Sequence, residues 1–308
     1  MLEKIAGKCM SINLKDYVMF SCVCRSWHEA ATVVKSNNII LPWLMLSNDD
    51  GDKRNLFDLS IKKCYNLSLP ETRNRNCYGT GSGWILTVGL DLEIHLFNPL
   101  TRDLLHDLPP PTRGVVVIYG ESDFVAAATP EDTEWTPIID AIDVGDVAYC
   151  PTLGLTLFVQ GSGFVSYCDL YQLLLSNNKS PLRLVDYASP SKQISKLGNP
   201  KICRSILEKF YLLESFGDIL MVKRSYDKDT VMTDGFEVYK LDLQTKQWEE
   251  VVDLGDVVLF VGNSPATSVK ASCFPSSCNP NSIYFTDDGR EACYWYNEFG
   301  NMIDIVQG

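Results

Sequence analysis

One turn sequence recurs along this chain, and its spacing constrains the fold more than any other feature. In each copy an apolar run ends at Asn or Asp, a turn follows, and a second run leaves it. The copies begin at Asp58, Asn98 and Asp242, so the first two lie 40 residues apart and the last two 144, or three steps of 48. The Asn or Asp side chain can accept a hydrogen bond from the turn backbone two residues on. Four-stranded repeats of about 40–50 residues are the pattern of propeller blades.

Short apolar runs occupy the chain between these turns, from residue 39 to the C-terminus. They are rich in Val, Ile, Leu, Phe and Tyr and are separated by Gly, Pro, Asn and Asp, a pattern that predicts β-strands. Eight of them cover residues 84–88, 93–97, 115–119, 156–160, 164–168, 219–223, 236–241 and 282–286. Residues 202–213 fit either a helix or a strand.

Many short strands indicate a sandwich, a barrel or a propeller. The repeat favours the last of these, a mainly β fold in which a propeller of about six blades follows a short helical segment. Four side chains are expected to be buried within or between its blades: Trp84, Phe97, Leu241 and Trp248.

The first forty residues have a helical period instead. Five residues follow one another at spacings of 3, 4, 3 and 4, the stripe of one helical face: Tyr17, Phe20, Cys24, Trp27 and Ala31. Asp16 is a candidate cap for that helix, and Leu2, Ile5 and Ala6 predict a shorter helix before it. We expect two or three helices, which either pack on their neighbour or carry a partner.

Charge and cysteine content restrict the partners and the compartment. The chain has 27 Lys and Arg against 39 Asp and Glu, a net charge of −12, which disfavours nucleic acid as a partner. Charged residues interrupt residues 1–20, so neither a signal peptide nor a membrane anchor is predicted. The eleven cysteines are an odd number without a disulfide framework, so we expect reduced thiols in the cytoplasm or nucleus.

Residues suited to catalysis or metal binding are scattered. The three histidines, His28, His95 and His106, are scattered along the sequence and are interpreted as surface or strand residues. The Gly-Ser-Gly segments at 81–83 and 161–163 lack the spacing of a nucleophile elbow and are interpreted as tight turns. Cys22 and Cys24 have no second pair near them and are interpreted as helix packing rather than a zinc site. We therefore predict no enzyme activity, no cofactor and no metal.

Two parts of the chain resemble a known family. Residues 20–31, Phe-Ser-Cys-Val-Cys-Arg-Ser-Trp-His-Glu-Ala-Ala, resemble the latter half of an F-box. The rest resembles the plant KIB-type propeller, formerly a domain of unknown function, which commonly follows an F-box. The matching segments cover residues 41–46, 81–84, 96–101, 211–215, 217–220, 238–242, 254–256, 259–260 and 281–288, with Trp248.

The resemblance implies two domains with separate tasks. Residues 1–40 would be a partial F-box-like helical segment, and residues 41–308 the KIB-type propeller. An F-box of this kind would open with a Leu-Pro pair before Leu2, and a closing strand is expected after Val306. The family's adaptor surface would map onto six positions: Leu2, Ile5, Phe20, Val23, Cys24 and Trp27.

By this resemblance, the chain would be the substrate receptor of a Skp–cullin–F-box ubiquitin ligase. Its partners would be a Skp-type adaptor, a cullin and a protein client that the sequence does not name. An alternative is a propeller that binds or inhibits a client, such as a kinase, without a working F-box. A third possibility, an enzyme using the propeller channel, would require titratable groups that converge on its axis.

Overall fold

The computed structural model describes most of the chain. The described residues are 1–12, 14–21, 23–36, 43–46, 52–59, 62–79, 84–89, 94–99, 102, 104–105, 115–119, 123–128, 135–168, 182–190, 208–227, 232–262, 264–285 and 304–307. They form two compact units. The first unit comprises residues 1–106, 269–279 and 286–304, and the second comprises residues 107–268, 280–285 and 305–308.

Three helices open the first unit. Helix α1 spans Leu2–Ile12, α2 spans Leu14–Ser21 and α3 spans Arg25–Ser36. Their common core contains five buried side chains: Ala6, Tyr17, Phe20, Ala31 and Val34. The expected stripe from residue 17 to residue 31 therefore does not lie on one helix, because the chain bends at Val23 and Cys24. Asp16 lies within the first turn of α2 rather than ahead of it.

Two sheets follow these helices in the first unit. Strands β1 (Trp43–Leu46), β2 (Lys53–Asp58) and β3 (Lys63–Ser68) form a three-stranded antiparallel sheet. A short 3-10 helix at Pro70–Thr72 leads into the second sheet. That sheet is a four-stranded antiparallel meander of β4 (Arg75–Gly79), β5 (Ile85–Gly89), β6 (Ile94–Phe97) and β7 (Leu104–Leu105).

Four further four-stranded sheets contain the remaining strands of the described residues. Their strands are β8 (Val115–Tyr119), β9 (Phe124–Ala128), β10 (Thr136–Ile139), β11 (Val144–Cys150), β12 (Leu155–Gln160), β13 (Val165–Cys168), β14 (Leu182–Arg183), β15 (Val185–Ala188), β16 (Glu208–Ser215), β17 (Asp218–Tyr226), β18 (Thr233–Leu241), β19 (Trp248–Glu250), β20 (Val257–Val261), β21 (Thr267–Lys270), β22 (Ser282–Phe285) and β23 (Asp304–Gln307). The strand orders are β14-β10-β9-β8, β11-β12-β13-β15, β16-β17-β18-β19 and β21-β20-β22-β23.

Two of these sheets depart from a simple meander. Strand β14 pairs with β10 in parallel, and β22 pairs with β20 in parallel.

Alternating side chains of β17 belong to two different cores. Met221 packs against the β11 sheet, whereas Val222 packs against β20 and β22. The β16–β19 sheet is thus held by apolar contact on both of its faces, which is the layering expected of stacked blades.

The three copies of the recurring turn share a left-handed fifth residue, and two of them share a backbone hydrogen bond. The N–H of Arg102 donates to the carbonyl of Asn98, and that of Lys246 donates to the carbonyl of Asp242, both at 2.9 Å. The fifth residue of each copy has a positive φ: 52° at Lys62, 67° at Arg102 and 57° at Lys246. The Asp242 carboxylate accepts from the N–H of Gln244, two residues on, at 2.7 Å, as the sequence predicts.

The structure confirms most of the predicted strands and all but one of the four predicted burials. Phe97, Leu241 and Trp248 are 0%, 2% and 5% exposed, and Trp84 is half-buried. Residues 208–213 belong to strand β16, and residues 202–207 lie outside the described part. Among the described residues, five sheets have the four strands of a blade and one has three, so five blades are found and the expected count of about six is met in part.

Candidate protein-binding surface of the helices

The corner between α2 and α3 exposes apolar side chains. Val23 is 59% exposed, and Cys24 beside it is exposed as well. The backbone of this corner is fixed at both ends: the N–H of Val23 donates to the carbonyl of Phe20, and the carbonyl of Cys24 accepts from His28 at 2.9 Å. The interpretation of Cys24 as helix packing is wrong, because Cys24 is exposed at this corner; Cys22 lies outside the described residues.

An aromatic stack supports this corner from below. The rings of Phe20 and Trp27 lie 4.3 Å apart at an angle of 29°. Phe20 is only 5% exposed and belongs to the core, whereas Trp27 is half-buried at its edge. Such a stack fixes the position of Trp27, so that its outer face is presented in one orientation.

A shallow groove of about 370 Å³ lies between the start of α1 and one face of α3. It is lined by Met1, Leu2, Glu3, Ser26, Glu29, Ala30 and Val33. Val33 is 45% exposed, and two glutamates rim an otherwise largely apolar floor. Residues 26, 29, 30 and 33 are spaced as one helical face, which is the signal in the sequence that could have identified this groove.

The six residues predicted to bind an adaptor occupy different environments. Ile5 (41% exposed), Val23 and Cys24 are exposed, Leu2 and Trp27 are half-buried, and Phe20 is buried. The structure brings Phe20, Val23, Cys24 and Trp27 to the α2–α3 corner, and it places Leu2 in the groove. Phe20 can therefore act on a partner only through Trp27. The six positions remain a prediction as a binding surface.

The histidines of the chain lie in different environments. His28 is exposed on α3 and His95 is half-buried in β6, while His106 lies outside the described residues. Within the described part of the chain, no three His, Cys, Asp or Glu side chains are placed to hold a metal ion. Fully burying a large apolar side chain contributes about 1.5–3 kcal/mol, so a partner that covers Val23 and Trp27 gains binding free energy directly.

The titratable groups with the largest perturbations lie in the second unit and serve the fold. Burial, and then a hydrogen bond to the Glu214 carboxylate at 3.0 Å, raise the pKa of the Cys150 thiol to about 11. A thiol with this pKa stays protonated at neutral pH and is a poor nucleophile. The same carboxylate accepts from the N–H and the hydroxyl of Thr152, at 3.0 and 2.7 Å, and so joins two neighbouring sheets.

No helix among the described residues is long and apolar enough to span a membrane.

All eight cysteines that the described residues include are free thiols. The expectation of unbridged cysteines thus holds for these eight, and Cys22, Cys203 and Cys293 lie outside the described part.

Together, the strands and sheets are those of a mainly β propeller protein whose first sheet is preceded by three helices. Residues 56–297 match the family model described as KIB1-4 beta-propeller. The chain belongs to this family.

Proteins that resemble the chain along most of its length are plant F-box proteins by name. The F-box/kelch-repeat protein At1g57790 of Arabidopsis thaliana is 26% identical over 318 residues, covering 95% of this chain and 82% of that protein. The probable F-box protein At1g65740 of the same plant is 24% identical and covers 94% of this chain and 88% of that protein. Among solved structures, the N-terminal domain of Nup159 matches 71% of this chain and 62% of that chain at 10% identity. Its TM-score is 0.40, a likeness too weak to add to the family match.

Proposed function

We propose that this protein is the substrate-recognition subunit of a Skp–cullin–F-box ubiquitin ligase. Residues 1–40 would bind the Skp-type adaptor, and the propeller of residues 41–308 would bind the protein client. The observation that carries this proposal is the exposed α2–α3 corner, where Val23 is 59% exposed and bonds through its backbone to Phe20 of the Phe20–Trp27 stack. The F-box names of relatives that cover nearly the whole chain support it.

In this function the chain would position the client and would not itself catalyse the transfer of ubiquitin. The adaptor and cullin would hold the propeller near a charged conjugating enzyme, and the bound client would present a lysine there. Holding two reactants together raises their effective concentration, and this alone accelerates the transfer. The complex would work in the cytoplasm, the nucleus or both.

Co-purification with a Skp-type adaptor tests the proposal. We expect the purified chain to bind the adaptor, and Val23→Asp to abolish binding by placing a charge in the apolar contact. Val252→Asp is the matched control, because Val252 lies in the second unit and is 90% exposed. Absence of adaptor binding by the folded wild-type chain, or equal losses in both variants, would exclude the ligase role. The remaining candidate would then be a propeller that binds or inhibits a client without a working F-box.

We further propose that the β1–β3 sheet is the sixth blade. The turn from Asp58 to Lys62 shares its positive-φ fifth residue with the turns at Asn98 and Asp242. Those two turns join the third and fourth strands of their sheets, so β2 and β3 correspond to third and fourth strands and β1 to a second strand. A crystal structure of the chain that showed no first strand pairing with β1 would contradict this assignment.

A further inference from the structure

Three large apolar side chains are exposed at one edge of two neighbouring sheets in the second unit. Phe124 opens β9 and is 42% exposed, Ile142 lies between β10 and β11 and is 54% exposed, and Phe164 precedes β13 and is 43% exposed. The two sheets are neighbours, since Val125 of one and Phe158 of the other belong to a single buried cluster. These three residues are called the apolar edge below.

Backbone hydrogen bonds hold the segments of the apolar edge together. The N–H of Val144, two residues after Ile142, donates to the carbonyl of Asp123, which immediately precedes Phe124, at 3.4 Å. The N–H of Gly161 donates to the carbonyl of Asp143 at 2.9 Å. The three exposed side chains therefore issue from connections that touch one another, and not from scattered loops.

Hydrogen bonds and close packing hold this arrangement together. A Cβ added at Gly161 would lie 2.8 Å from a carboxylate oxygen of Asp143, so the Asp143 side chain closely approaches this turn. The N–H of Gln160 donates to the carbonyl of Phe164 at 2.9 Å and closes the same turn. A rigid apolar surface loses little conformational entropy on binding, which favours recognition.

Carboxylates surround the apolar edge. Asp123, Asp140 and Asp143 all have a positive φ, of 49°, 67° and 59°, which fixes where each side chain leaves its turn. One cation, Arg183, lies 3.1 Å from the Asp140 carboxylate, and both side chains of this pair are more than 60% exposed. The described residues named here are thus three carboxylates and one guanidinium, in a chain whose net charge is −12.

We propose that the apolar edge is the client-docking surface, and that it takes a segment presenting apolar side chains flanked by Lys or Arg. This inference rests on the proposed function, in which the propeller binds a protein client. Exposed apolar patches with polar rims mark protein-binding sites. Complementary charge selects the partner and speeds its association, so the carboxylates favour a basic segment.

Peptide binding by the whole chain tests the proposal. The probes are short fluorescent peptides that share the same Leu, Phe and Ile residues and differ only in carrying Lys, Glu or Ser between them. We expect the Lys peptide to bind, more weakly as salt increases, and the Glu peptide not to bind. Ile142→Ser and Phe164→Ser should each weaken the Lys peptide about tenfold, as expected for central apolar residues of an interface.

Matched controls come from the far ends of the strands. Tyr149 ends β11 at 62% exposure and Phe216 follows β16 at 56% exposure, so both are as exposed as the apolar edge but lie away from it. Tyr149→Ser and Phe216→Ser should leave peptide affinity unchanged. The double variant Asp140→Asn with Asp143→Asn should lower both the affinity for the Lys peptide and its salt dependence, because it removes two negative charges. The backbone should be unchanged, since Asn tolerates the left-handed conformation at these positions.

The proposal is overturned if the Lys peptide does not bind the folded chain, or if the Glu peptide binds equally well. It is also overturned if Tyr149→Ser weakens binding as much as Ile142→Ser does. Adaptor binding, measured on the same preparations, depends on the helices alone. A chain that binds the adaptor but not the Lys peptide would contradict the docking surface while leaving the ligase role intact.

Discussion

The hydroxyl of Tyr17 donates a hydrogen bond of 2.6 Å to the backbone carbonyl of Ala31. It joins α2 to α3 inside a core that is otherwise apolar, and the corner bearing Val23 and Cys24 lies between the two helices. A buried polar pair specifies one relative position of its elements, because separating the groups would leave the buried Tyr17 hydroxyl without a partner. This bond therefore helps to fix the angle at which the candidate binding surface is presented.

Replacing Tyr17 by Phe should weaken the attachment of α3 to α2 without leaving a cavity in the core of the helices. The ring is kept, but the carbonyl of Ala31 loses its donor, which costs about 0.5–1.5 kcal/mol. We expect faster hydrogen exchange of α3 amides in Tyr17→Phe, with the Val23 corner less well ordered. Tyr149→Phe, at a tyrosine that is 62% exposed, is the control and should leave exchange unchanged. Equal protection of α3 in both variants would show that the bond does not hold the helices.

Two lysine–carboxylate pairs of the β16–β19 sheet should differ in their contribution to stability. Lys223 is 2% exposed and lies 3.0 Å from Glu237 and 3.3 Å from Glu208, whereas Lys240 is 46% exposed and lies 2.8 Å from Asp218. Removing one partner of a fully buried pair leaves the other charge uncompensated and costs about 3–5 kcal/mol. Because the Glu208 and Glu237 side chains are 16% and 43% exposed, the loss on removing Lys223 should lie below that range. An exposed pair contributes about 1 kcal/mol or less.

Urea unfolding of Lys223→Ala and Lys240→Ala measures this difference. We expect a large drop in the unfolding midpoint for the first variant and a small one for the second. Similar drops would mean that water reaches Lys223 in the native protein, contrary to its position between two strands.

The sequence predicts the local parts of this fold well. The turn at Asp242 could be predicted because its side chain bonds to the backbone two residues on, which is a contact encoded within five residues. The parallel pairing of β22 with β20 could not, because nothing in either strand marks which partner it will meet across the intervening chain. Strand pairing of this kind is decided by packing over long separations.

The candidate site shows the same limit. The spacing of Tyr17, Phe20, Trp27 and Ala31 correctly predicts that these residues share an apolar core. It does not distinguish one long helix from two helices that meet around that core, since both place the residues on the same side. No Gly or Pro marks the bend at Val23 and Cys24. The sequence therefore identified the residues but not the corner that exposes them.

The left-handed residue of the recurring turn provides a stability test. Lys62 has a φ of 52°, a conformation in which the β-carbon of an L-residue is crowded by the backbone. Its side chain is exposed, so no buried contact offsets this cost. Lys62→Gly should raise the free energy of unfolding by about 1 kcal/mol, because a left-handed conformation costs an L-residue about 1–2 kcal/mol and glycine loses part of that gain to chain entropy.

Lys63→Gly is the matched control for this test. It removes the same charge one residue later, in strand β3, where glycine should lower stability by about 0.5–1 kcal/mol. Thermal unfolding of both variants gives opposite shifts if the turn geometry is as described. A loss of stability in Lys62→Gly would contradict the shared geometry of the repeat.

Glu214 should make the stability of the second unit depend on acid pH. The hydrogen bond from the Cys150 thiol, and then that from the Thr152 N–H, lower the pKa of this carboxyl below its ordinary value of 4.5. A carboxyl whose pKa is lower in the folded state contributes stability that is present above the unfolded-state pKa and is lost as the pH falls through the folded-state value. In Glu214→Gln the amide oxygen can still accept from Thr152, but nothing titrates. We therefore expect the urea midpoint of the wild-type chain to fall more steeply between neutral pH and pH values below about 4 than that of Glu214→Gln.

Glu250→Gln, at an exposed carboxylate on the edge strand β19, is the control and should retain the wild-type dependence. Parallel curves for the wild-type chain and Glu214→Gln would show that the carboxylate does not join the two sheets in solution.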